Sequence, residues 1–396
     1  MKVFFLSGLL IDEDKVTLKS VGGIQNAANV LQKKYIEGLS ASDKVKSIHV
    51  INLSYIGSYP KLYREINFKP TKKYFNEGKV KYYDIPFFNL LFFKNISRFV
   101  KSFYKSFNLL KDNKSDDNIF FIYAMHLPFL LSVIFLKFFF PTVKFYVIVP
   151  DLPEFMSSRT GILKILFNFI SKFSYFIVNR LDGVIPITND MASLFNTKLN
   201  KVVIEGISSS SDFNDIHLNE TQRYFLYTGS LDNRYGLKLM LDSFIKAELN
   251  DIDLIICGDG KDRQVVNHYA NEYKNIKYLG MVNRKKALEL QKNATLLINP
   301  RQNLGEYVKY SFPSKVLEYM SSGTPVLMHK LPGIPDEYYN FAYVIEDSND
   351  SFINMLKMIA NTDSDSLKAK GAAAHDFVQK HKNPKAQIEK ILTSIG

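Results

Sequence analysis

The second half of the chain carries a series of short motifs whose residue types suit a phosphorylated ligand, each just past an apolar run. YTGSLDNRYG (227–236) sets Gly229 at the end of one run, Arg234 in the loop and Gly236 where a helix opens, so a guanidinium and free backbone amides could meet one anion. CGDGK (257–261) brackets Asp259 with Gly258 and Gly260, and INPRQN (298–303) puts Arg301 beyond the next run. In FPSKVLEYMSSGTPVL (312–327), Ser314 is expected to cap a helix carrying Lys315 and Glu318. The first half offers Gly22 and Gly23 ahead of a helix, where backbone can approach a phosphate without Cβ obstruction, although a plain turn uses such a pair equally well. His126 in FIYAMHLP and Asp151 in VPDLPEF also follow apolar runs and could bond a hydroxyl group. A core imidazole, or a helix cap ahead of Pro153, would use the same residues.

Such motifs need elements to hold them. Short apolar runs at 2–8, 47–53, 118–124, 144–150, 183–188 and 202–206 alternate with helical stretches, and a second series follows at 223–229, 253–258, 276–280, 294–300, 324–329 and 343–347. Two sets of alternating strands and helices imply two parallel sheets with right-handed crossovers, an α/β chain of two doubly wound domains. Ligands of such sheets bind beyond the carboxyl ends of the strands, where every motif above lies. The polar, turn-rich stretch near 205–222 marks the seam between domains 1–205 and 206–375.

Composition sets the outer bounds. With 396 residues, 46% hydrophobic and 23% charged, the chain is long enough for two globular domains and too apolar for a disordered one. One cysteine, Cys257, closes no intrachain disulfide, and seven scattered histidines supply no thiolate zinc site. The apolar start is short and runs into acids instead of a cleavage site, so it reads as a first strand. The run 127–149 has the length of a membrane span, but Lys137, Pro141 and Lys144 interrupt it, and it divides into a buried helix (128–138) and a buried strand.

The order YTGSLDNRYG, CGDGK, LGMV, INPR, FPSKVLEYMSSGTPVL resembles the donor-binding domain of family 4 glycosyltransferases of GT-B architecture, particularly bacterial capsule and exopolysaccharide enzymes. The resemblance is strongest over 223–330. It implies two Rossmann-like domains facing across a cleft, with Glu318 accepting from the ribose hydroxyls of a nucleoside-diphosphate sugar. The family's partner glutamate, seven residues earlier, is replaced here by Tyr310, and Glu306 is the nearest substitute. The family's diphosphate-loop cations are replaced by Ser230 and Tyr235, which leaves Arg234 or Lys315 for that charge. Gly22 and Gly23 match the loop facing the leaving phosphate, His126 the histidine near the transferred sugar, and Asp151 is a candidate for the acceptor. No cofactor and no metal are implied: Asp251-Ile252-Asp253 leads into a strand and suits a turn better than a metal site. Retention of configuration is a further implication, as is a last helix, 376–396, that crosses back to the first domain.

Net charge is +12, and all of the excess lies in residues 1–200. Between Lys61 and Lys114, 13 basic residues face 4 acidic ones amid 14 Phe or Tyr. The segment 90–108 spaces Phe92, Ile96, Phe99, Phe103 and Phe107 as one helical face, with Lys94, Arg98, Lys101 and Lys105 mostly elsewhere. Such a helix packs its apolar stripe on a core or lies on an anionic membrane. No nucleic-acid motif accompanies it, so no nucleic-acid partner is expected. The reading is a cytoplasmic glycosyltransferase, peripheral on the inner membrane face, acting on a glycan or polyprenyl-diphosphate-linked acceptor. An inactive partner subunit and a nucleotide-sugar epimerase are the alternatives.

Overall fold

The computed structural model describes residues 1–396 except 23, 25, 116, 156–160, 209–212, 214–215, 217–222 and 347–349. The described chain divides into two units, Met1–Glu205 with Pro384–Gly396, and Gly206–Asn383.

Unit 1 begins β1 (Lys2–Ser7), α1 (Glu13–Lys19), α2 (Asn26–Ala41), β2 (Ser47–Asn52). Four shorter strands follow, β3 (Asn67–Phe68), β4 (Tyr74–Glu77), β5 (Val80–Asp84) and β6 (Phe87–Phe88). Then come α3 (Leu91–Asp112), β7 (Ile119–Tyr123), α4 (Leu127–Phe139), β8 (Lys144–Val149), α5 (Ile162–Val178), β9 (Gly183–Pro186), α6 (Asn189–Ser193) and β10 (Asn200–Lys201). The main sheet runs β10-β9-β8-β7-β1-β2-β5-β4, parallel except for β4, which pairs antiparallel with β5. Val3 lies beside Ile48 on one side and Ile119 on the other, and β1 is buried on both faces, which is why its sequence is unbroken apolar. Strand order reverses between β1 and β7, the position where doubly wound sheets bind ligands.

Unit 2 continues with β11 (Tyr224–Thr228), α7 (Leu237–Lys246), β12 (Asp253–Cys257), α8 (Arg263–Glu272), β13 (Ile276–Gly280) and α9 (Arg284–Asn293). It ends with β14 (Leu296–Asn299), α10 (Ser314–Ser322), β15 (Val326–His329), β16 (Tyr343–Ile345), α11 (Ser351–Ala360) and α12 (Ser364–His381). Its sheet, β13-β12-β11-β14-β15-β16, is parallel throughout and reverses between β11 and β14. Among the described residues, the core of this unit gathers Phe225, Leu254, Ile256, Leu296 and Ile298 from the strands with Met240, Leu241 and Phe244 from α7.

Several expectations change in detail. No strand forms at the expected 202–206, and β10 lies just before it: Val202 and Ile204 donate to the carbonyls of Val184 and Pro186, but Pro186 has no N–H to return. The β4–β5 hairpin and α1 were not anticipated. The return to unit 1 begins at Pro384, not at 376, because α12 runs on to His381 and a proline starts the next helix, α13 (Pro384–Ile395). This last helix lies on α2, where a Cβ at Gly38 would sit 2.3 Å from the Pro384 carbonyl. The seam stretch falls largely outside the described residues.

The largest correction concerns α3, which is turned opposite to its aromatic pattern. Lys94 and Arg98 are 8% and 2% exposed, and Ser102 and Ser106 continue the buried stripe, while Phe92 is 80% exposed and Ile96, Val100 and Tyr104 also face solvent. Serines make the inward stripe thin, so α4 approaches closely: Ser102 and Ser132 hydroxyls bond at 2.6 Å. Phe99, Phe103 and Phe107 are half-buried at this seam, meeting Phe135 and Phe139 of α4. Lys94 and Arg98 therefore cannot supply surface charge to a membrane.

Candidate functional site

In unit 2 the motif residues gather past the carboxyl ends of β11, β12 and β14. Gly229 follows β11 and donates to the Cys257 carbonyl, while Leu231 donates to that of Asp259, so the two loops are zipped together. A Cβ at Gly258 (φ +142°) would lie 1.8 Å from the Gly229 oxygen, and one at Gly260 would lie 2.4 Å from the Leu231 oxygen. These glycines are needed first for the approach of loop to loop. Asp259 is exposed, its Oδ1 accepting from the Gly260 N–H.

Gly236 (φ +80°) begins α7, and a Cβ there would fall 1.9 Å from the Pro300 oxygen. That contact sets the start of α7 against the end of β14. Gly236→Ala is expected to destabilise unit 2 by about 2–4 kcal/mol, since both backbone angle and neighbour forbid the methyl group. Thermal or urea unfolding measures it, and an unchanged midpoint would refute the packing argument.

The cations differ in what they already hold. Arg234, with its side chain 65% exposed, gives its Nε and terminal amino group to Asp232 at 2.9 and 2.7 Å. Hydrogen bonding from Arg234 chiefly, with help from Lys261 and against some burial, holds the Asp232 carboxyl down to about 2. Lys315 bonds Glu318 Oε1 at 2.6 Å. Arg301 is 7% exposed and bonds the Ser311 hydroxyl at 2.6 Å, with Tyr235 and Tyr307 rings 5.6 and 5.1 Å from its guanidinium. Burial lowers its pKa, and its Nε, like Asn299 Nδ2 at the end of β14, is a buried donor without a partner among the described residues.

Glu318 is anchored by Gln291, whose amide donates to Glu318 Oε1 (2.6 Å) and Thr228 Oγ1 (3.1 Å), and by Arg284 at 3.6 Å from Oε2. Burial pushes the carboxyl up, but Lys315, Gln291 and Arg284 together outweigh it and keep Glu318 ionised. Ser314 is not the expected cap. Pro313 precedes it, α10 begins at Ser314 itself, and no side chain of the preceding residue caps the helix. Tyr310 ends a short 3-10 turn (Glu306–Tyr310), and Glu306 is exposed with its carboxylate on Lys309 at 3.1 Å. Asp251 and Asp253 are engaged by Arg223 and Lys277.

Unit 1 has a cavity of about 640 Å³ past the carboxyl ends of β2, β7 and β8. His126 and Asp151 both line it. Ala124 (φ +67°) turns the chain sharply after β7 to deliver His126, whose ring packs edge-on against Tyr55 and Phe129. Burial first, then Arg98 and Lys94, push the His126 pKa well down, so the ring is neutral at pH 7. Asp151 is solvent-reached at the mouth, yet the surrounding protein raises its pKa to about 6. Gly22 takes a left-handed turn (φ +99°) between Val21 and Ile24, which line the same cavity, while Gly23 lies outside the described residues. Sequence reasoning missed Gln291, Thr228 and Tyr55, whose roles depend on partners distant in the chain, and also Asp232, two residues before its partner Arg234. Gly8 was the available signal for Tyr55, since a Cβ there would lie 2.3 Å from its ring.

Residues 208–366 match the family model for glycosyl transferases group 1. Solved structures of similar fold include sucrose-phosphate synthase from Thermosynechococcus elongatus, 13% identical at TM-score 0.59, covering 100% of this chain and 99% of that one. A trehalose-6-phosphate structure from E. coli with UDP-2-fluoro glucose is 11% identical at TM-score 0.60, covering 100% and 99%. The α,α-trehalose 6-phosphate synthase of Burkholderia multivorans is 11% identical at TM-score 0.62, covering 100% and 96%. No curated protein matches the chain. The chain thus has the GT-B fold over its whole length, and the match to glycosyl transferases group 1 lies within unit 2.

Proposed function

We propose that the protein moves a sugar from a nucleoside-diphosphate sugar to a glycan carried on a polyprenyl diphosphate, at the inner face of an anionic membrane, in bacterial surface polysaccharide synthesis. In unit 2, Glu318 receives the ribose hydroxyls and Arg301, with the amides opening α10, receives the diphosphate. Negative charge grows on that diphosphate as the glycosyl bond breaks, and fixed donors stabilise it without rearranging. The positive charge is supplied by the protein and no metal step is invoked. His126, neutral, hydrogen-bonds a sugar or acceptor hydroxyl, and retention follows from attack on the leaving-group face.

The observation that carries the lipid acceptor is the outer face of α3, α4 and α5. Phe92 and Ile96 on α3, Phe138 and Phe139 on α4, and Leu166 and Phe169 on α5 are exposed on consecutive, packed helices. Those helices contain one acidic residue, Asp112, against exposed Lys101, Lys111, Lys164 and Lys172. Soluble monomers rarely leave so much aromatic surface open, and the basic flank suits anionic headgroups. No described helix is long and apolar enough to cross a membrane, so attachment would be interfacial.

In sedimentation with phosphatidylglycerol vesicles, the triple variant Phe92→Glu, Phe138→Glu, Phe169→Glu is expected to bind at least about tenfold more weakly. Undiminished binding, or no binding by the wild type, would refute the membrane reading. A soluble sugar phosphate is the second acceptor reading, favoured by buried cations in the unit 1 cavity.

A further inference from the structure

We propose that the unit 1 cavity is a recognition site for a phosphate or diphosphate ester, gripped by Lys94 and Arg98 of α3. Naming that ester as part of the acceptor rests on the glycosyltransferase reading; the anion site rests on unit 1 alone.

The two cations lie one helical turn apart and both line the cavity. The Lys94 ammonium donates to the Ile56 carbonyl and, at 3.4 Å, to the Ser58 hydroxyl. The Arg98 guanidinium donates to the Ser54 carbonyl, stands 3.5 Å from His126 Nε2, and lies over the Phe87 ring at 4.6 Å. Among the described residues, no carboxylate reaches either cation. Arg98 Nε, Tyr123 Oη and His126 Nδ1 are buried there without partners.

Two like charges removed from water, side by side and without a counter-charge, form a costly arrangement that a purely structural role would not select. Burial, then the neighbouring Arg98, draws the Lys94 pKa down to about 7, and burial draws that of Arg98 down to about 10. An incoming anion removes that tension. An ammonium beside a guanidinium presents several donors from different directions, which suits a phosphoryl group. The cavity has room for the phosphoryl group and part of what carries it.

Calorimetry on the full chain with glucose 6-phosphate and farnesyl diphosphate, against glucose and farnesol, tests the site. At least one phosphorylated probe should bind and neither alcohol should. Tighter binding of the first assigns a soluble sugar phosphate, of the second a lipid-linked one. Lys94→Met and Arg98→Met should each weaken the bound probe by at least about tenfold, with UDP affinity unchanged. Should either variant melt early, Arg98→Lys, which keeps the charge, should retain binding. Hydrogen–deuterium exchange on the wild type should also show the probe protecting 91–100 and 124–128. Failure of both probes to bind, protection elsewhere, or equal binding by stable variants overturns the proposal. Phosphorylated probes that bind a protein indifferent to all nucleoside diphosphates would leave the anion site standing and defeat the donor reading.

Discussion

An Arg301→Met variant is expected to lose about 10²- to 10³-fold in kcat/KM for the nucleotide sugar, the range for removing a fixed donor to a developing oxyanion. Arg301 is singled out by what the other cations already do. Arg234 spends its guanidinium on Asp232, and Lys315 meets Glu318. Arg301 sits past β14, beside the reversal of strand order, buried and without a carboxylate among its described contacts. A charge held in that setting acts through a lower effective dielectric than one in water. The same substitution at Arg234 should cost less than about threefold, as for an exposed ion pair. Steady-state release of the nucleoside diphosphate, measured on both variants, checks the ranking. A larger loss at Arg234 would show that Asp232 releases its partner to the ligand and that the assignment is inverted.

Replacing Glu318 with alanine is expected to weaken UDP or GDP by about 30- to 100-fold, about 2–2.7 kcal/mol, within the range that one hydrogen bond to a charged acceptor contributes. The carboxyl is well prepared for a vicinal diol. Gln291 and Lys315 fix Oε1, Arg284 approaches Oε2, and the net effect keeps it ionised. Folding should change little, because Lys315 and Arg284 are half-exposed and recover water. Glu318→Gln should lose less than Glu318→Ala. Calorimetry with each nucleotide measures the effect, and equal affinity in wild type and Glu318→Ala would remove Glu318 from the nucleotide site.

Much of this was legible in the chain because parallel strands buried on both faces announce themselves as apolar runs, and because ligand groups must follow their carboxyl ends. Gly236, Arg301 and Glu318 were singled out that way. What could not be read is how charges divide among partners. Arg234 and Lys315 look available in the sequence, and only the fold brings out the claims on them of Asp232, two residues away, and of Glu318 on the next turn. The α3 helix misled for a different reason. Its aromatic stripe repeats at helical spacing, but so does Lys94-Arg98-Ser102-Ser106, and a polar stripe gives no hydrophobic signal even when it is the face that packs. Ser314 failed as a cap because Pro313 takes the position before the helix, which starts at Ser314, one residue earlier than the pattern implied.

The most direct test is a crystal structure of the protein soaked with UDP or GDP. The account predicts the diphosphate within hydrogen-bond reach of Arg301 and the amides at Ser314–Lys315, with the ribose hydroxyls on Glu318. A nucleotide lodged elsewhere, for instance in the 720 Å³ groove between α7 and α8 beside His268 and Tyr269, would contradict it.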